Sequence, residues 1–85
     1  MNEREVITMT EIMKIITEAE ANGKSVVITD DEGYFGVERV WGSTTQWFAV
    51  GEFGWYYSNE DIAKLTVLEI VELDGTVMIK TDIEG

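Results

Sequence analysis

The stretch from Tyr34 to Tyr57 holds every aromatic residue of this 85-residue chain: Tyr34, Phe35, Trp41, Trp47, Phe48, Phe53, Trp55, Tyr56 and Tyr57. Each such ring removes roughly 150–250 Å² from water when covered. Any fold of this chain must therefore bury the block or present it to a partner. Gly36, Gly42, Gly51 and Gly54 interrupt it at intervals that suit short strands joined by tight reversals.

The flanks supply the scaffold. Residues 1–7 read as an arm, in which Val6-Ile7 can add a short edge strand. Thr8 and Glu11 fit a capping box. Beyond them Met9, Ile12, Met13, Ile15, Ile16 and Ala19 recur at helical spacing, while Lys14, Glu18 and Glu20 fall elsewhere. Asn22-Gly23 suits a left-handed stop, with Lys24 beside the negative helix end. The spacing predicts a helix over about 9–22.

The β-branched run 25–29 predicts a strand, and Asp30-Asp31-Glu32-Gly33 a four-residue reversal. That loop length would set Ile28 opposite Phe35 and Val26 opposite Val37, leaving Val27, Tyr34, Gly36 and Glu38 on the other side. A second strand runs to about Trp41 and a third covers Thr45 to Val50. The turn 51–54 leads into Trp55-Tyr56-Tyr57. Ser58 and Asp61 form a second helix-start signature, sufficient for one turn.

Residues 66–73 and 76–82 flank Asp74-Gly75, the pair that favours a type I′ hairpin turn. The implied register sets Leu73 against Thr76, Ile70 against Ile79 and Glu69 against Lys80, with Leu68, Ile70, Val77 and Ile79 sharing a core face. No internal repeat or linker divides residues 1–85, so the expectation is a single small α+β domain. In it one N-terminal amphipathic helix packs on a curled, mostly antiparallel sheet of five or six strands. One helix covers one face, yet the aromatic strands carry large side chains on both. Either the sheet curls into a half-barrel, or a partner, such as a second copy, covers the rest.

Composition narrows the chemistry. The chain has no Cys and no His, which removes thiolate chemistry, Cys-based metal sites and the commonest acid–base side chain. No nucleophile–base–orienter set can be assembled, so the expectation is a protein that is not an enzyme and needs no cofactor. The charged start of the sequence, with no long apolar run after it, points to the cytoplasm and away from a membrane. The acidic turn 30–33 lacks the alternating ligands and distant Glu of a calcium loop. Glu18 with Glu20, and Glu69 with Glu72, read as solvated faces rather than catalytic pairs. The glycines at 51 and 54 lack the lysine of a phosphate loop.

Net charge is −11, from 17 acidic against 6 basic residues. That field repels nucleic acid and attracts basic surfaces; it also simply keeps an aromatic-rich chain soluble. Same-face side chains in a strand lie about 6.6 Å apart, and DNA carries one phosphate per roughly 3.4 Å in each strand. Carboxylates ranged along strands and loops can thus imitate a phosphate backbone. Asp30, Asp31, Glu32, Glu38 and Glu52 are the candidates, with Trp41, Trp47, Trp55 and Tyr56 as the contact rings.

In size, acidity and lack of catalytic residues the chain resembles the small inhibitors that phages direct against restriction, CRISPR or repair enzymes, a resemblance of composition that covers no motif. The leading expectation is an inhibitor that docks on a protein's basic, nucleic-acid-binding surface and blocks it, binding no nucleic acid itself. Two alternatives stand: a sequestering protein whose rings stack on a nucleotide-like ligand, with Arg39, Lys24 or backbone N–H groups offsetting the field, and an oligomeric structural subunit.

Overall fold

A computed structural model describes residues 10–84; Thr8, Met9 and the Val6-Ile7 pair lie outside them. The architecture is α+β: helix α1 (Glu11–Ala21), then strands β1 (Ser25–Thr29), β2 (Gly36–Arg39), β3 (Gln46–Ala49) and β4 (Tyr56–Ser58). A short helix α2 (Asn59–Ala63) and the hairpin β5 (Val67–Leu73) and β6 (Thr76–Thr81) follow. One six-stranded sheet runs β4-β3-β2-β1-β6-β5. Every neighbouring pair is antiparallel except β1 with β6. The sheet stays open, with β4 and β5 as its two edges.

Helix α1 buries Ile12, Ile16 and Ala19, spaced so that they fall on one stripe. Its N-cap is Thr10, whose side chain makes no capping bond, so the helix starts at Glu11 rather than from a capping box of Thr8 with Glu11. It stops where expected: Gly23 takes φ 74°, and the Gly23 and Lys24 N–H groups donate to the carbonyls of Glu20 and Ala19. Lys24 reaches across the sheet to Glu72, 2.6 Å away. Helix α2 keeps the full capping box, with Ser58 Oγ accepting from the Asp61 N–H and the Asp61 carboxylate accepting from the Ser58 N–H.

The two faces of the sheet differ. On one, register sets Ala49, Val37, Ile28 and Ile79 side by side, and all four are buried. Ile12, Ile16 and Ala19 of α1 and Ile62 of α2 join this face in a single core cluster with Val26, Val77, Trp47 and Ile83. Each buried aliphatic side chain stabilises the fold by roughly 1.5–3 kcal/mol. Among the described residues no helix covers the other face.

The hairpin of β5 and β6 has the expected turn: Asp74 and Gly75 both take positive φ, 51° and 80°. Leu73 opposes Thr76, Ile70 opposes Ile79 and Glu69 opposes Lys80. Its expected core face is only half realised. Val77 and Ile79 are buried, whereas Ile70 and Leu68 are about half exposed. The reason is position: β5 is the sheet edge, outside the footprint of α1, and Leu68 sits at an irregularity between Val67 and Glu69.

The turn between β1 and β2 is two residues longer than its acidic quartet suggests. Ile28 opposes Val37 and Thr29 opposes Gly36, rather than Ile28 opposing Phe35. The extra length comes from Asp30, whose carboxylate draws the N–H groups of Glu32, Gly33, Tyr34 and Phe35 inward. A shift of two moves Tyr34 and Phe35 into the loop but leaves Val26, Ile28 and Val37 on their expected face, so the core survives it. Strands 2, 3 and 4 also end within two residues of their expected limits.

Candidate functional site

Charge and aromatic rings meet in two places, and the first is internal. Arg39, on β2, lies over the Trp47 ring with its guanidinium carbon 4.2 Å from the ring centre. Its Nε and Nη2 donate to the two carboxylate oxygens of Glu20, both at 2.9 Å. Its Nη1 donates to Asn59 Oδ1 at 2.7 Å and to the Thr44 carbonyl at 3.0 Å. Trp47 Nε1 donates to the same Asn59 oxygen at 2.8 Å. This knot ties α1 and the start of α2 to the sheet. Trp47, offered by its sequence context as a contact ring, is 0 % exposed. It opposes Arg39 and Tyr57 on the helix-covered face, so it belongs to the core.

The second place is one end of the sheet. Because β1 to β4 form a meander, the loops after β1 (30–35) and after β3 (50–55) emerge at the same end, while the turn bearing Trp41 emerges at the other. The Val50 N–H donates to the Gly36 carbonyl at 2.9 Å, and the Phe35 and Trp55 rings meet edge to face at 6.1 Å. These contacts hold the two loops together. This end brings together Asp31, Glu32, Tyr34, Glu52, Phe53 and Trp55. Phe53 and Tyr34 are almost wholly exposed, at 103 % and 88 %, and Trp55 is 46 % exposed. The carboxylates of Asp31, Glu32 and Glu52 have no ion-pair or hydrogen-bond partner among the described residues.

Asp30 belongs to the same loop but serves it differently. Its Oδ1 accepts from Gly33, Tyr34 and Glu32 at 2.6, 2.9 and 3.1 Å, and its Oδ2 from Phe35 at 3.3 Å. Removal from water pushes its pKa upward, but the four N–H donors outweigh that and hold it below the ordinary carboxylate value. This carboxylate holds the loop in shape. Asp61 is likewise held low, chiefly by the Ser58 N–H and hydroxyl. The Tyr57 phenol is pushed up by burial and then by the Asp61 charge.

The uncovered face adjoins this end. Register sets Tyr56, Phe48, Glu38, Val27, Met78 and Val71 in one row that crosses all six strands. Five of the six are apolar or aromatic, and Glu38 is the one charge. Glu38 and Tyr56, both exposed, therefore lie on the face rather than at the loop end. Trp41, 97 % exposed, is remote from both. Of the candidate residues, the structure brings Asp31, Glu32, Glu52 and Trp55 together, with Glu38 and Tyr56 beside them. The sequence does not single out Tyr34 and Phe53 as contact rings: a four-residue turn would set Tyr34 on the second strand, whereas the longer turn leaves it in the loop beside Gly33, as Phe53 lies in a turn beside Gly54.

A shallow cleft of about 240 Å³ lies at the hairpin of β3 and β4, against Phe48, Phe53, Trp55 and Tyr56. It is smaller than the roughly 300–1,000 Å³ of small-molecule sites, and its one charged lining residue is Glu52. Arg39 and Lys24, the cations that an anionic ligand would require, are held by Glu20 and Glu72. No three potential metal-ligating side chains are grouped together among the described residues, and no described helix is long and apolar enough to cross a membrane. No protein family, curated protein or solved structure matches the chain.

Proposed function

We propose that this chain is a non-enzymatic binding protein that docks on a basic, nucleic-acid-binding surface of another protein and blocks it, as do the phage inhibitors its composition resembles. The docking element is the loop end, with Asp31, Glu32 and Glu52 as the charges and Phe53, Tyr34 and Trp55 as the rings. Glu38 and Tyr56 extend it onto the open face. The supporting observation is the coincidence of carboxylates that have no partner among the described residues with exposed rings, in a chain of net charge −11. A solubilising surface would have the charges without the rings.

Rings desolvated in a pocket supply most of the contact energy at such sites, and surrounding charges steer approach and fix orientation. Nucleic acid would compete for the same basic groove.

The test is capture of a partner from the cytoplasm of the host, followed by competition. The captured protein should bind nucleic acid when free, leave the immobilised chain on addition of duplex DNA or RNA, and leave it as salt rises, because screening acts within roughly 8–10 Å at ordinary ionic strength. A partner retained in high salt and indifferent to nucleic acid would contradict the proposal.

A further inference from the structure

The geometry points to β5 as a pairing edge for a second copy of this chain, antiparallel and centred on Val71. This rests on the opposite side of the sheet from the loop end and does not depend on the function proposed above.

The two edges of the sheet are unlike. Strand β4 has three residues and runs directly into α2, whereas β5 has seven. Long edge strands are ordinarily blunted by charge, proline or a covering element, because their outer N–H and C=O groups are open to pairing. No strand or helix lies along the outer side of β5 among the described residues. Its Leu68, Ile70, Val71 and Leu73 are all more than a third exposed.

Charge identifies the occupant. Two copies carrying −11 each repel, and most of the surface is closed to such an approach. Strand β5 is different: Glu69 pairs with Lys80 at 3.4 Å and Glu72 with Lys24 at 2.6 Å. A basic partner finds the acids of Glu69–Leu73 already neutralised, and along that segment an equally acidic copy meets no bare carboxylate.

Register fixes the centre. A two-fold axis perpendicular to the sheet pairs residues of the same face, and the regular part of β5, Glu69–Leu73, is symmetric about Val71. Val71 then opposes itself, Ile70 opposes Glu72 and Glu69 opposes Leu73. No acid faces an acid. The row that crosses the open face ends at Val71, so pairing makes that face continuous across both copies.

Light scattering over a concentration series tests the edge, with Val71→Lys as the disrupting variant and far-UV circular dichroism as the check that it folds. The chain has no cysteine, so Val71→Cys under mild oxidation tests the register. Directly opposed residues have Cα atoms about 4.5–5.5 Å apart, within disulfide reach, whereas Ile70→Cys sits two positions out of register. The expected results are a dimer, a bridge at position 71 and none at 70, and a dissociation constant at least about tenfold weaker in Val71→Lys.

Three results would overturn the inference. One is a monomeric mass throughout, including a monomer whose β5 amides resist hydrogen exchange, which would place a segment of the same chain on the edge. Another is a dimer that Val71→Lys leaves unchanged. The third is a dimer that bridges at position 70 and not at 71.

Discussion

The Arg39 knot and the loop end are built from the same materials, aromatic rings and carboxylates, and put them to opposite uses. In the knot, one cation serves Glu20, Asn59, Thr44 and the Trp47 ring, and nothing polar is left over. At the loop end only the Asp30 carboxylate is engaged among the described residues. Asp31, Glu32 and Glu52 face outward beside Tyr34 and Phe53. Satisfied groups of the first kind stabilise and cannot bind anything else. Unsatisfied groups of the second kind contribute little to folding and are free to bind. The distinction can be broken by substitution, because it predicts stability loss without a direct binding role in one region and binding loss without stability loss in the other.

The largest stability effect belongs to Trp47→Ala. Removing a fully buried ring should cost about 3–5 kcal/mol, a large share of the roughly 5–15 kcal/mol typical of a whole domain. Urea or thermal unfolding measures it, and a loss under 1 kcal/mol would mean the ring is not the core element described. Next comes Arg39→Ala, expected to cost about 1–3 kcal/mol through lost charged hydrogen bonds and the ring contact. Arg39→Lys should recover only a minor part, since an ammonium cannot reproduce the planar fork that spans Glu20 and Asn59. Full recovery would reduce the knot to a simple ion pair.

Asp30 sharpens the comparison through pH. Its folded pKa is depressed, so its contribution is fully present above the unfolded carboxyl value, about 3.9. That contribution is lost as pH falls through the lower folded value. Asp61 acts with the same sign. Asp30→Asn, which keeps an acceptor for some of the N–H groups but not the charge, should lower the thermal midpoint at neutral pH and flatten the acid limb of a midpoint-against-pH curve. An unchanged acid limb would show that this carboxylate does not hold the loop.

The smallest stability effects are expected for Phe53→Ser, Tyr34→Ser and Trp41→Ala, all within about 0.5 kcal/mol because the rings are already in water. Binding separates them. The first two should weaken capture of the partner, and Trp41→Ala, at the far end of the sheet, should leave it intact.

Much of this was legible in the sequence wherever one local rule acts alone. The stripe of Ile12, Ile16 and Ala19 gave the helix, the Asp74-Gly75 pair gave the hairpin with its register, and Ser58 with Asp61 gave the second cap. What escaped depends on position across the sheet. Nothing in the run from Val67 to Leu73 says that it lies outside the reach of α1, so half of its expected core face is exposed. Trp47 and Trp41 look alike in sequence. Only the meander, and the alternation that sets Trp47 opposite Arg39, makes one a core residue and the other a solvent-facing ring. Asp30, Asp31 and Glu32 read as one acidic turn, yet the first is consumed by backbone donors because the loop closes around it.

Reversing the charge of the loop end bears most directly on the central claim. With Asp30 left in place to keep the loop closed, a variant carrying Asp31→Lys, Glu32→Lys and Glu52→Lys should unfold at nearly the wild-type temperature. It should bind the captured partner at least about tenfold more weakly at physiological salt. A folded triple variant that holds its partner at full affinity would contradict the assignment of this end as the docking surface.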